Sequence, residues 1–107
     1  MVWKVVLLPQ AAVELMTLPV DMQARFLHIA ALLEAFGPQR VGMPHIRPIQ
    51  GKLWEIRITG RDGIARALYV AQTGQRLQVL HVFVKKTEKT PPQAIKTALD
   101  RLEEASR

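Results

Sequence analysis

The chain has 107 residues and a mass of 12.1 kDa, enough for one hydrophobic core, so residues 1–107 are predicted to form a single domain. Hydrophobic residues make up 49% and charged residues 22%, which excludes an intrinsically disordered chain. The absence of cysteine excludes disulfides, thiolate nucleophiles and cysteine-ligated metals, and the net charge of +6 favours a polyanionic partner.

The N-terminal third is predicted to contain a strand followed by two helices. The strand is predicted over 2–8 and ends at Pro9, which cannot donate a hydrogen bond to a sheet. A short helix is predicted over 10–17 and a longer one over 19–36, before a Gly-Pro stop signal. No run approaches the roughly 20 apolar residues of a membrane span, and no signal-peptide pattern is present. We therefore expect a cytoplasmic protein that does not contact membranes.

The central segment is predicted to be a loop followed by a three-stranded meander. Residues 38–52 contain three prolines and are predicted to be irregular. Strand-like runs, joined by short glycine-containing turns, follow at 53–59, 64–71 and 77–84. Short turns of this kind join antiparallel neighbours.

The chain ends in a predicted amphipathic helix. Thr90 and Gln93 match a capping box, and the apolar side chains at 95, 98, 99 and 102 form one face. This face is expected to pack on the sheet or on a partner. The predicted order is β-α-α-β-β-β-α, an α+β fold whose antiparallel meander packs on helices.

The excess positive charge lies in the middle of the chain. Between Arg40 and Lys89, ten basic residues stand against three acidic ones, whereas the remainder carries five basic and six acidic residues. This distribution indicates a nucleic-acid partner or another acidic partner, with simple solubility as the alternative.

Strand alternation places several of these charges on one face. Glu55 and Arg57 lie opposite the apolar side chains of the first meander strand, and Arg66 points outward from the second. Lys85 and Lys86 follow the third strand. If the strands are neighbours, these cations converge on one open basic face. Taken singly, each could equally be a solvated surface residue, and the lysines could protect a hydrophobic strand from aggregation.

Three segments carry a family resemblance: 51–57 (GKLWEIR), 63–69 (GIARALY) and 80–91 (LHVFVKKTEKTP). With these segments the chain resembles the HigB-type, phage-derived branch of the RelE/ParE toxin superfamily. The similarity extends over essentially the whole chain. The third segment is the most specific, and the first is weaker when taken alone.

The resemblance implies an open-sheet toxin that cleaves messenger RNA, typically in the ribosomal A site. It also implies a co-encoded helix-turn-helix antitoxin (HigA-like). The matching catalytic residues are Arg57, Arg66 and Lys85 or Lys86. Some relatives place a lysine before the first of these arginines, where this chain has Glu55. The superfamily also includes inhibitors of gyrase, so a non-enzymatic inhibitor of gyrase or the ribosome is the alternative.

RNA cleavage by its own 2′-hydroxyl needs a proton acceptor, charge stabilisation at phosphorus and a proton donor, but no metal or cofactor. The two arginines suit charge stabilisation, because guanidinium groups bind phosphate oxygens bidentately. Glu55 could accept the proton or merely neutralise a neighbouring cation, and Lys85 or Lys86 could exchange protons. His81 is a weaker candidate because it lies within an apolar strand. Histidines and carboxylates are too dispersed to predict a metal site.

Six further residues of the basic middle segment are candidates for contacts with RNA or the ribosome. They are Arg40, His45, Arg47, Lys52, Arg61 and Lys89. A degenerate toxin, retained only as a binding partner of its antitoxin, is a third possibility.

Overall fold

The computed structural model describes residues 2–85 and 89–107. The elements within them are β1 (Lys4–Leu7), α1 (Pro9–Met16), α2 (Val20–Phe36), α3 (Pro38–Val41), β2 (Ile46–Gln50), β3 (Leu53–Gly60), β4 (Gly63–Gln72), β5 (Arg76–Lys85) and α4 (Pro92–Ala105). All seven predicted elements are present. The expectation of an irregular segment over 38–52 was wrong, because it contains α3 and β2.

The strands form one mixed sheet in the order β1-β5-β4-β3-β2. β3, β4 and β5 are antiparallel neighbours, as predicted. The sheet is not purely an antiparallel meander, because β1 pairs in parallel with β5 at one edge. Parallel pairing requires a long crossover, and three helices (α1–α3) and three strands (β2–β4) lie between β1 and β5 in the chain.

Strand β2 occupies the other edge, where β3 is its only partner strand among the described residues. Pro48 lies opposite Trp54, and the register shifts between Pro48 and Gln50. One side of an edge strand needs no hydrogen-bond partner, so a residue without an N–H is tolerated there. The prolines of segment 38–52 therefore led to the wrong prediction of a loop where β2 lies. Its pairing brings Arg47 opposite Glu55.

Helices α1 and α2 cover one face of the sheet. Phe26, Ile29 and Leu33 of α2 are buried in this core, as their helical spacing predicts. The strands contribute the alternate side chains Ile56, Ile58, Ala65, Ala67, Tyr69, Leu77, Val79 and Val82. Tyr69 therefore faces helices α1 and α2.

Helix α4 covers part of the opposite face. Its buried Ala94 and Ala98 pack against Leu53, Leu68, Val70 and Leu80. Of the two alternatives, the closing helix therefore packs on the sheet. The predicted capping box is absent: α4 starts at Pro92 without a side-chain cap, and the Thr90 hydroxyl donates to Glu55 instead.

Candidate functional site

Arg57 and Arg66 lie directly opposite each other on neighbouring strands. They are register partners in the β3–β4 pair. Alternation places both on the α4 face, together with Leu53 and Leu68. Lys85 ends β5 on the same face, two residues after Phe83, which is the partner of Arg66. Three of the four cations expected on one face, Arg57, Arg66 and Lys85, therefore do lie on the same face of the sheet.

Glu55 is the acceptor that holds the cluster together. Its carboxylate is completely buried and accepts hydrogen bonds from three elements. Arg66 Nη1 donates to Oε2 at 2.5 Å, Arg47 Nε donates to Oε2 at 2.6 Å, and Thr90 Oγ1 donates to Oε1 at 2.9 Å. Donors from β4, β2 and the segment before α4 thus meet on one carboxylate.

Like charges placed opposite each other on a sheet are destabilising, so the Arg57–Arg66 pair needs compensation. Glu55 compensates Arg66, whose side chain is only 2% exposed. Arg57 is half-buried, and its Nε is buried without a hydrogen-bond partner among residues 2–85 and 89–107. Of the two opposed arginines, Arg57 is thus the more exposed, and a guanidinium group can donate to phosphate oxygens.

The prediction that this basic face is open to solvent was wrong for most of its residues. Glu55, Arg66 and Lys85 are all buried, with 0%, 2% and 7% relative exposure. Helix α4 packs on Leu53 and Leu68 of this face, and the Thr90 contact brings the preceding segment onto Glu55, so the Glu55 end of the face is covered. Lys86, another predicted site residue, lies outside the described residues.

Two of the predicted RNA-contacting residues lie at the cluster. Arg47 is bound to Glu55, and Lys89 is exposed beside Thr90 in the chain. His45 is half-buried, and its carbonyl oxygen accepts the backbone N–H of Arg57 at 2.8 Å.

The other three predicted contacts lie away from the cluster. Lys52 is exposed in the β2–β3 turn. Arg61 lies in the β3–β4 turn, where its backbone N–H donates to Asp21 of α2 at 2.6 Å. Arg40 is exposed on α3, whose Val41 packs on the α1/α2 core, so it lies on the opposite side of the sheet from Arg57. A single basic surface does not unite the predicted residues.

His81 belongs to a separate cluster that joins α1, α4 and β5. Its Nδ1 lies 3.0 Å from Glu14 Oε2, and Arg101 binds the same carboxylate with both Nη1 (2.8 Å) and Nη2 (3.0 Å). Glu14 also accepts the backbone N–H of Val82 at 3.0 Å, and Arg101 donates to the Leu80 carbonyl oxygen. This Glu14–Arg101 clamp holds α1 and α4 to β5, and His81 contributes to it through its contact with Glu14.

Burial alone would raise the pKa of Glu14, but hydrogen bonds from Arg101, Val82 and His81 outweigh it and hold the pKa below its usual 4.5. A carboxyl group with a depressed folded-state pKa stabilises the fold above its unfolded-state pKa. This contribution is lost as the pH falls through the folded-state value.

We therefore expect Glu14→Gln to lower the free energy of unfolding at about pH 7 and the difference from wild type to shrink below about pH 4.5. Urea unfolding across this pH range measures the difference. Glu103→Gln, which changes an exposed carboxylate on α4, is the matched control and should show almost no difference at any pH. A Glu14→Gln difference that stays constant down to about pH 3 would contradict the assignment.

Sequence reasoning missed Thr90, Glu14 and Arg101 as organising residues. Thr90 was assigned to a helix cap because its spacing to Gln93 fits that motif equally well. Glu14 and Arg101 are 87 positions apart, and no local pattern links them.

Within the described ranges, no three histidine, aspartate or glutamate side chains are grouped so that they could hold a metal ion. In the same residues, no helix combines the length and apolar character needed to cross a bilayer.

A family model for phage-derived Gp49-like proteins (DUF891) matches residues 13–103, most of the chain. The chain belongs to this family. No curated protein matches it. The match agrees with the phage-derived character expected from segments 51–57, 63–69 and 80–91.

Solved structures with the same fold come from toxin–antitoxin complexes. A chain of the RelBE2 complex from Mycobacterium tuberculosis superposes with a TM-score of 0.58 and 24% identity, covering 79% of this chain and 100% of that one. A chain of the RelE–RelB complex from Pyrococcus horikoshii OT3 gives a TM-score of 0.59 and 23% identity, covering 78% and 96%. The expected RelE-like α+β fold of this Gp49-like protein is thereby confirmed.

Proposed function

We propose that this Gp49-like protein is the HigB-type toxin of a type II toxin–antitoxin system, an endoribonuclease that cleaves messenger RNA in the ribosomal A site. The observation that carries the proposal is the Arg57–Arg66 pair, held on one sheet face by the buried carboxylate of Glu55. Phosphate is a natural ligand of the Arg57 guanidinium, and Arg66 adds positive charge directly opposite it on the next strand. Both solved relatives come from toxin–antitoxin complexes, which supports the same biological context.

In the proposed reaction the 2′-hydroxyl of the RNA attacks the adjacent phosphate. The 2′-oxygen–phosphorus bond forms, the bond to the 5′-oxygen breaks, and the products are a 2′,3′-cyclic phosphate and a 5′-hydroxyl. Arg57 binds the non-bridging oxygens and stabilises the charge that grows on them in the transition state. Arg66 is held in place by Glu55 and adds positive potential beneath the phosphate.

The candidates for proton transfer to and from the RNA are Glu55, Lys85 and Lys86. The three donors on Glu55 and its complete burial favour the neutralising alternative over the proton-accepting one. Lys85 and Lys86 then remain the candidates for exchanging protons with the 2′-hydroxyl and the leaving oxygen. Neither step requires a metal ion.

The proposal includes two macromolecular partners in the cytoplasm. The ribosome would present the codon, because Trp54 and Tyr69 are directed into the core side of the sheet rather than offered to bases on the Arg57 face. A co-encoded helix-turn-helix antitoxin would neutralise the toxin, in keeping with the antitoxin-containing complexes of the structural relatives.

Mapping of transcript 5′ ends after brief induction tests the activity. We expect new ends with 5′-hydroxyl groups, positioned at a fixed place within codons of translated messages. A transcript made untranslatable by removal of its start codon is the control and should stay intact. Growth arrest with all transcripts intact would reject the nuclease and favour a non-enzymatic inhibitor of gyrase or the ribosome.

A further inference from the structure

A groove runs beside the Glu55 cluster, between edge strand β2 and helix α4. Its volume is about 410 Å³, and it is lined by Arg47, Pro48, Ile49, Lys89, Thr90 and Ile95. Two of these residues, Arg47 and Thr90, are also donors to Glu55. The groove therefore begins at the carboxylate that positions Arg66.

The lining of this β2–α4 groove combines cations with aliphatic surface. Arg47 and Lys89 bring positive charge, while Ile49 and Ile95 are half-buried and pack on the apolar side chains between α4 and the sheet. Cationic groups attract phosphates, and aliphatic side chains can make van der Waals contact with the face of an unstacked base. Single-stranded RNA matches both properties, because its backbone is a polyanion and the faces of its bases are exposed.

The dimensions also suit a single strand. Residues 47–50 of β2 extend about 10 Å at the rise of a β-strand. This length accommodates about three stacked nucleotides at roughly 3.4 Å each.

We propose that the β2–α4 groove binds the single-stranded RNA segment next to the bond to be cut. Phosphates lie against Arg47 and Lys89, and a base lies over Ile49 and Ile95. The inference rests on the proposed function, because it assigns the path of that substrate. Aliphatic contact reads the face of a base and not its hydrogen-bonding edge, so the groove contributes affinity with little sequence preference.

Fluorescence anisotropy with a non-cleavable, 2′-deoxy-substituted RNA oligonucleotide tests the groove directly. We expect Ile95→Asp to raise the Kd at least about 10-fold, because it places a negative charge and removes apolar surface where the base binds. Gln93→Asp is the matched control: it makes the same charge change on an exposed position of the same helix outside the groove lining, and its Kd should stay within about 2-fold of wild type.

Two milder variants keep the test decisive if Ile95→Asp does not fold. Ile95→Ala should raise the Kd by about 3-fold from lost apolar contact alone. Lys89→Ala should lower the slope of log Kd against log salt by about one, the change expected when one phosphate contact is lost.

The outcomes separate this inference from the proposed function. Wild-type cleavage together with unchanged RNA affinity in Ile95→Asp and Ile95→Ala would overturn the groove and leave the nuclease standing. If both variants lose RNA affinity and the wild-type protein cuts no transcript, the groove is supported and the nuclease is rejected. If both variants lose affinity for the co-encoded partner protein while RNA affinity is unchanged, the groove is a protein-docking surface and the inference is wrong.

Discussion

Arg57→Ala should reduce transcript cleavage by about 10²- to 10³-fold, the loss seen when one preorganised charge-stabilising donor is removed from an active site. Growth arrest on induction should disappear with it. The reason is that Arg57 is half-buried whereas Arg66 is buried against Glu55, so Arg57 is the arginine of the pair proposed to bind the phosphate. Cleavage is measured from the abundance of new 5′ ends, at matched protein levels.

The same substitution should leave the fold intact. Arg57 lies opposite Arg66, so its removal relieves a like-charge contact, and the melting temperature should stay unchanged or rise slightly. Arg76→Ala, which removes an exposed arginine at the start of β5, is the control for loss of one positive charge and should cleave like wild type. Full cleavage by Arg57→Ala would refute the site assignment.

Glu55→Ala should have the opposite profile, with its largest effect on stability. Removal of one partner from a buried ion pair costs about 3–5 kcal/mol, because the remaining charge is left buried without compensation. Arg66 would be that charge, since its side chain is 2% exposed. For a domain of this size the melting temperature should fall by more than about 10 °C. Thermal unfolding followed by circular dichroism measures the shift.

A double variant shows whether the buried charge is the cause. Glu55→Leu combined with Arg66→Met replaces the ion pair by apolar side chains and should recover at least half of the lost stability. Arg47, which is 30% exposed, can turn its guanidinium to water in that background. A single Glu55→Ala variant destabilised by less than about 1 kcal/mol would mean that the three hydrogen bonds on Glu55 do not organise the site.

The positions of Glu55, Arg57 and Arg66 could be predicted because strand alternation is a local property. Two hairpins with short turns were enough to bring the two arginines onto one face. The burial of that face could not be predicted in the same way. It depends on which side of the sheet α4 covers, and the apolar face of α4 fits a sheet or a partner equally well.

The second omission was β2, whose composition is typical of a loop. Only its pairing with β3 shows that Arg47 is a partner of Glu55 rather than a surface cation. The three donors to Glu55 come from residues separated from it by 8, 11 and 35 positions. The set of donors to Glu55 is formed by tertiary packing, so a sequence pattern within one helix or strand cannot predict it.

The Glu14–Arg101 clamp has a consequence for association between molecules. Among described residues, β1 pairs with β5 only as far as Val79, while β5 continues to Lys85. Past that point the Leu80 carbonyl oxygen and the Val82 N–H are bound by charged side chains instead of by a neighbouring strand. An uncovered strand border would be a template for pairing with another chain. By occupying these backbone groups, the clamp protects a hydrophobic strand from intermolecular β-sheet growth.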